Sequence, residues 1–359
     1  MNKKIHLDPY LFISISMLSF IGLFILFSAS ESSFGAISRQ LIYIVLGFFL
    51  FFIFSQPDPD IYRRFSFLFL ILSLFLVAST YFIGTEINGA KRWLKFYVFS
   101  FQPSELLKLA LPLFLSSYLF HKKLPISFKD TLIAILFIFA CFLIVARQPD
   151  LGTALLVTIS GIFVLYLAGL SWLFIFLCLS AIAVFSPFIC NNLLQPFQKD
   201  RIWTLFNPES DPYGAGWNII QSKIAVGSGG LFGKGYGQGS QTQLNFLPET
   251  QTDFIFSVLA EEFGFVGVLL LVMIYAFVLL RCFYLAVNAR DRFCRLVIGG
   301  FIFTFCFNVF VNLAMVVGLI PVVGMPLPFF SRGGTSLLSL FIMFGIITSM
   351  ASHKKFMQR

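Results

Sequence analysis

The sequence predicts an all-α fold: a polytopic integral membrane helical bundle of about ten transmembrane helices with one large extracytoplasmic loop. Three observations predict it. The 359 residues are 58% hydrophobic and 11% charged, with a mean hydropathy of +0.90, far too apolar for a soluble chain of this size. The apolar runs approach the roughly 20 residues that carry a helix across a bilayer, which argues against a barrel. One polar segment, residues 191–252, is long enough to form a substantial loop within what otherwise reads as a single membrane domain, residues 1–359.

In chain order the expected span cores are 10–27, 37–54, 65–83, 105–120, 132–145, 151–168, 172–188, 254–280, 296–320 and 336–350. The first follows "MNKK" and precedes "SAS", the flanks of a signal peptide. Its apolar stretch exceeds an h-region of about 7–15 residues, so it is expected to be an uncleaved anchor. With the N-terminus inside, the cytoplasmic segments hold Lys3, Lys4, Arg63, Arg64, Lys122, Lys123, Lys129, Arg281, Arg290, Arg292, Arg295, Lys354, Lys355 and Arg359. Fewer basic residues fall on the other side, and four of those sit in the long loop, which the positive-inside rule discounts. Both termini are therefore expected in the cytoplasm, and the net charge of +9 is mostly topological. No basic domain suggests a nucleic acid partner.

The six cysteines include no C-x-x-C pair, so neither zinc nor a disulfide framework is indicated. His6, His121 and His353 all fall on the inner side or at the termini, which excludes a histidine-based site on the outer face. The 50 phenylalanines read mainly as lipid-facing filler, with an aromatic groove for an isoprenoid chain as the alternative.

Loops as long as 191–252 are usually functional or disordered. Disorder is not expected, because Ile202, Trp203, Leu205, Phe206, Trp217, Ile219, Ile220, Ile224, Val226, Leu231 and Phe232 supply apolar anchors. The stretch "GSGGLFGKGYGQGS" matches neither the P-loop nor the dinucleotide pattern, so no nucleotide is expected. Its glycines would let backbone approach a ligand and offer N–H groups to an anion.

Other polar groups converge on the same side. "NGAKRWLKF" supplies Lys91, Arg92 and Lys95, "RQPDLGT" supplies Arg147 and Asp150, and "PLPFFSRGGTS" supplies Arg332. A lone rim cation is often only an interfacial anchor. Several around one acidic helix entrance make an anion site beside a carboxylate. That entrance is "LPETQTDFIFSVLAEEFGF", which carries Glu249, Asp253, Glu261 and Glu262. At about 100° per residue Glu261 falls some 80° from Asp253 and Glu262 opposite it, both about 12 Å deeper, so the three cannot share one site. Asp253 is the one placed to meet a ligand, although an acidic residue in a first turn can also serve only the helix dipole. Glu249, four residues earlier, shares its face if the helix extends that far. Deeper in the membrane "QPSELLK" sets Glu105 and Lys108 at i, i+3, where each lowers the other's burial cost.

"GAKRWL", "QPSELLK", "QPDLGT", "NPESDPYGAGWNIIQSKIAVGSGGLFGKG", "LPETQTDFIFSVLAEEFGFVG" and "GLIPVVGMPLPFFSRGGTS" together resemble the SEDS (shape, elongation, division and sporulation) family over nearly the whole chain and in the family's order. The stretch "NLAMVVGLIPVVGMPLPF" resembles the RodA, cell-elongation branch more than the FtsW, division branch, which usually reads "GLLPTKGLTLPF" there. The resemblance implies a ten-span peptidoglycan glycosyltransferase that polymerises lipid II at the outer face of the bacterial cytoplasmic membrane. It also implies a class B penicillin-binding protein as crosslinking partner, beside other elongation-complex proteins. Asp253 matches the family's essential Asp, and Glu105 and Lys108 match a supporting polar pair in its central cavity. "SRGGTS" departs from the family's common "SYGGSS" by placing Arg332 at the Tyr position, which leaves that turn's role open.

The chemistry fits one interfacial carboxylate. The acceptor's sugar 4-hydroxyl attacks the donor's anomeric carbon while pyrophosphate leaves, so Asp253 suits a general base and no general acid is needed. Pyrophosphate departure needs positive charge, from Lys91, Arg92, Arg201, Lys223 or Arg332, or from a divalent cation, Mg or Mn, held partly by Asp253 as metal ligand. Two other classes share much of this pattern. A lipid II flippase would keep the fold, the substrate and the anion-binding residues. A solute or ion transporter is disfavoured by the lack of a clear inverted repeat or paired broken helices.

Overall fold

The computed structural model describes residues 7–30, 33–87, 90–96, 99–123, 125–192, 194–211, 214–244, 246–247 and 249–353; Lys3, Lys4, His6, Pro248, Lys354, Lys355 and Arg359 lie outside the described residues. The chain runs α1 (Pro9–Ala29), α2 (Phe34–Ser55), α3 (Pro59–Ile83), β1 (Thr85–Ile87), β2 (Ala90–Phe96), β3 (Phe99–Phe101), α4 (Ser104–Phe120), α5 (Phe128–Ala146), α6 (Leu151–Leu167) and α7 (Trp172–Asn192). It continues through α8 (Pro196–Phe206), a 3₁₀ turn (Pro208–Ser210), α9 (Ala215–Ser228), α10 (Ser240–Gln243), α11 (Ile255–Val287), α12 (Arg292–Val316) and α13 (Thr335–Ser352).

Each expected span falls on a helix. Among the described residues seven, α1, α2, α3, α5, α11, α12 and α13, are long and apolar enough to cross a membrane by length and composition; Leu151–Leu167 and Trp172–Phe188 are apolar but shorter. Their starts are written in the sequence. Side chains of Asp8, Asp58, Ser127, Asp150 and Asp291 accept from first-turn N–H groups of α1, α3, α5, α6 and α12, and proline occupies the first turn of α1 and α3. Each such cap stabilises its helix by about 1 kcal/mol. At the other end, α12 stops at Val316 rather than near residue 320, because Leu319 N–H reaches the Ala314 carbonyl (2.8 Å) and Gly318 N–H the Met315 carbonyl (3.0 Å) with Gly318 at φ 71°. This is the Schellman closure that glycine permits.

Two apolar cores share α4. One gathers α1, α2, α11, α12 and α13, the other α3, α5 and α6. Leu109 and Leu113 of α4 face the first, Leu107, Ala110, Leu111 and Leu115 the second. A helix buried on both sides has no solvent or lipid face for its charges, so Glu105 and Lys108 pair inside the seam at 2.6 Å. The phenylalanines divide between two roles, which corrects the reading of them as filler. Phe20 and Phe82 point outward, while Phe305, Phe329, Phe341 and Phe344 form an edge-on cluster in the larger core.

Three features depart from the expected bundle. The connection after α3 folds into an antiparallel sheet in the order β1-β2-β3, where side chains alternate between faces. Segment 191–252 is folded by α8, α9 and α10; Ile219 is buried, but the expected anchors Trp203, Phe206, Leu231 and Phe232 point outward. An apolar side chain on a membrane protein can face lipid and so need not turn inward. Finally, α11 is not one continuous helix from Asp253. It begins at Ile255 and breaks at Gly264, whose φ of 62° and ψ of −159° are non-helical.

The break explains the glycine-rich stretch. Phe265 N–H reaches the Gly230 carbonyl (2.9 Å) and Val266 N–H that of Leu231 (3.1 Å), while Lys234 and Gly235 N–H groups reach the Glu261 and Glu262 carbonyls (3.0 Å each). Backbone freed by the kink is thus paired with the glycine-rich loop. Glu261 accepts from Lys234 Nζ (2.7 Å), Ser240 Oγ (3.1 Å) and Gln241 N–H (3.1 Å), and Glu262 from Ser28 Oγ and from Gly237 N–H (3.1 Å). Two of the glycine N–H groups, those of Gly235 and Gly237, are therefore bonded to the broken helix. The angular reading of Asp253, Glu261 and Glu262 on one helix is replaced by a turn, a short helical segment and a kink.

Candidate active site

Asp253 lies in the turn that delivers the chain from the long loop into α11. The turn is strained: Glu249, a non-glycine residue, sits at φ 57°. Thr252 and Phe254 N–H groups bond the Glu249 carbonyl (3.1 and 3.3 Å), and Thr252 Oγ1 donates to Glu249 Oε2 (2.8 Å). Glu249 thus accepts from the residues on either side of Asp253 in a turn, and does not sit one helical turn before it on a shared face. Thr250 Oγ1 adds a bond to the Ala29 carbonyl at the end of α1 (3.3 Å).

The link between α12 and α13 forms the other wall. Asn312 Nδ2 donates both to the Asp253 carbonyl (2.9 Å) and to the Met325 carbonyl (2.7 Å). Arg201 Nη1 donates to the Val322 carbonyl (3.1 Å). Between them Gly324 presents a bare Cα to the Asp253 carboxylate, where a Cβ would stand 3.5 Å from Oδ2. Asp150, capping α6, completes the rim: its Oδ2 accepts from Gln102 Nε2 (3.1 Å) and meets Arg92 Nη1 (3.3 Å).

The electrostatics follow from this arrangement. Among the described residues no Lys or Arg nitrogen is paired directly with Asp253. Burial, then the like charge of Glu249, pushes its pKa up from the ordinary 3.8 to about 6, against the opposing pull of Arg201 and Arg92. Arg201 is pushed below its ordinary value by burial and by Arg92, while Asp253 and Asp150 pull it back. A carboxylate titrating near neutrality beside two guanidiniums can accept a proton while the cations face an anion.

The other expected site residues separate. Arg92 and Lys91 lie on opposite faces of β2; Arg92 turns to Asp150, whereas Lys91, opposite Glu86, is exposed. Lys223 of α9 stretches over Gly318 at the end of α12. Arg332 donates from Nη1 to Gln251 Oε1 (2.6 Å) and from its backbone N–H to the Gln251 carbonyl (2.8 Å). Glu105 and Lys108 stay inside the bundle, where Ser339 Oγ donates to Glu105 Oε2 (2.9 Å) and a small cavity adds Thr304 and Asn308. Thr304, Asn308 and Asn312 recur every fourth residue, so one polar stripe of α12 runs from that cavity to the Asp253 turn.

Sequence reasoning missed Gln102, Asn312, Gly324 and the Val322 carbonyl. Asn312 alone carried a signal, an amide in a long apolar helix and fully buried in the fold.

The donor set limits a metal. Among the described residues no three His, Cys, Asp or Glu side chains gather to hold one. Asp253 would be the protein group to hold a divalent ion, which would supply positive charge beside a substrate's phosphates.

The geometry can now be set beside known proteins. A chain from a peptidoglycan synthase complex, described as coordinating polymerization and crosslinking, superposes with a TM-score of 0.84 at 30% identity, over 95% of this chain and 96% of that one. The rod shape determining protein RodA of Thermus thermophilus superposes with a TM-score of 0.75 at 29% identity, over 97% and 98%. The peptidoglycan glycosyltransferase MrdB of Escherichia coli K12 is 43% identical over 99% of this chain and 96% of its own length. The family model of the FtsW, RodA and SpoVE cell cycle proteins matches residues 9–356, so the chain belongs to that family, and with its RodA branch.

Proposed function

We propose that this chain is an inverting peptidoglycan glycosyltransferase that polymerises lipid II into β-1,4 glycan during cell elongation, with Asp253 as general base. The observation that carries the reading is a half-buried carboxylate, its pKa pushed up to about 6 by burial and Glu249, that among the described residues pairs with no cation yet is flanked by Arg92 and Arg201. Asp253 takes the proton from the acceptor's 4-hydroxyl as that oxygen bonds the donor's anomeric carbon. The bond to the leaving oxygen breaks on the opposite side, and undecaprenyl pyrophosphate departs with the electron pair. A base of pKa about 6 is mostly ionised at neutral pH and still strong enough to share a proton in the transition state. Arg92 and Arg201 stabilise the charge that grows on the pyrophosphate, and Arg offers the planar fork that phosphate geometry suits. When bound, Mg²⁺ or Mn²⁺ would add charge at the same oxygens.

The distribution of Lys and Arg supports both termini in the cytoplasm and this site at the outer face of the cytoplasmic membrane. Similarity to a chain of a synthase complex supports a class B penicillin-binding protein as crosslinking partner. The test is polymerisation by the purified chain in detergent with lipid II alone, where no second compartment exists. Long glycan from the wild type and a rate about 10²–10⁴-fold lower or more from Asp253→Asn is expected. A flippase or other transporter would make no glycan from either.

A further inference from the structure

The sequence left the role of the Arg332 turn open, and the fold turns Arg332 toward Gln251, beside the base, rather than toward open space. We propose that Arg332 is a positioning residue: with Gln251 and Asn312 it holds the Asp253 turn in its reactive orientation. This rests on Asp253 being the base, as proposed above.

The argument starts from strain. A non-glycine residue at positive φ, here Glu249, persists only where its surroundings over-determine the chain. The hydrogen bonds inside the turn leave its orientation against the bundle open, so that orientation has to come from outside. Arg332 meets Gln251, two residues before Asp253, through both its backbone N–H and its guanidinium, at 2.8 and 2.6 Å. One hydrogen bond is a pivot; two between the same residues remove the rotation about it. On the far side Asn312 grips the Asp253 carbonyl itself. The orientation of that amide is fixed by chemistry, since both of its neighbours, the Asp253 and Met325 carbonyls, accept only. The turn is therefore clamped from α12, at the Asp253 carbonyl, and from the end of the segment leading into α13, at Gln251.

A reacting group displaced by about 1 Å can cost on the order of 10²-fold in rate. Loosening one side of a two-sided clamp should cost about 10-fold or more in kcat and leave substrate affinity nearly unchanged. The test is a double-mutant cycle in the lipid II polymerisation assay with full-length protein, using Arg332→Ala and Gln251→Met, the latter keeping side-chain length while removing the acceptor. Each single variant should lower kcat with KM within about twofold, the double should be no slower than the slower single, and Arg332→Lys should recover part of the rate. A raised KM from Arg332→Ala with Gln251→Met silent would overturn the proposal in favour of direct substrate contact. Additive losses would overturn it as well. If Arg332→Ala does not purify as a folded protein, Gln251→Met decides alone: an unchanged kcat sinks the idea. Failure of the wild type to polymerise lipid II would instead sink the proposed function, and that control is read first.

Discussion

The two ends of the bundle treat their charges in opposite ways. Where α1, α3 and α5 begin, the capping or first-turn acid has a cation: Asp8 meets Arg281 at 2.6 Å, Asp60 meets Arg63 and Arg290 at 2.8 and 2.9 Å, and Asp130 meets Lys122 at 2.7 Å. Arg290 holds the Asp60 carboxyl and Lys122 the Asp130 carboxyl below their usual range, and Asp130 holds the Lys122 ammonium above its own. At the other end the charged form of Asp253 is disfavoured by burial and by Glu249, and its nearest cations are turned elsewhere, Arg92 onto Asp150 and Arg201 onto the Val322 carbonyl. Paired charge fixes helix ends. Charge withheld from a partner is poised to react, and the contrast separates structural from chemical residues in one chain.

The contrast predicts graded losses. Asp253→Asn should lower turnover by about 10²–10⁴-fold or more while the protein still inserts and purifies normally. Arg201→Ala and Arg92→Ala should each cost about 10²–10³-fold, with Arg201→Lys retaining part, if they meet the leaving pyrophosphate; losses confined to a few-fold would make them rim anchors. At the paired end, Arg281→Ala strands a buried Asp8 and should lower stability by about 1–3 kcal/mol, seen as a lower melting midpoint in detergent, with turnover of the folded fraction unchanged. A large loss of turnover there would erase the distinction between the two ends.

Much of the scaffold was legible because a bilayer demands about 20 apolar residues per helix and leaves charges only where something holds them. Asp253 stood out for the same reason, as the carboxylate placed where a span begins, and the resemblance to a family sharpened it. What the sequence hid depends on distant partners. Asn312 matters because two carbonyls, 59 and 13 residues away, meet its amide. The break at Gly264 is silent in an apolar run, since the loop that repairs it lies at Gly229–Gly235 and only folding brings them together. The pattern of glycines in that loop suggested close backbone approach to a ligand; at Gly229 and Gly233 the backbone approached is the chain's own, that of Ala260 and Glu262.

Strand alternation likewise separated Lys91 from Arg92, which hydropathy alone treats as one basic cluster.

The most direct test of the central claim is the pH dependence of kcat/KM for lipid II polymerisation by the wild type. Asp253 must be ionised to accept a proton, so activity should rise with pH as its proton leaves. Because burial holds that pKa at about 6 instead of 3.8, the acid limb should reach half its height near pH 6. An acid limb near pH 4, or one near pH 6 that survives unchanged in the residual activity of Asp253→Asn, would contradict the assignment of Asp253 as the base.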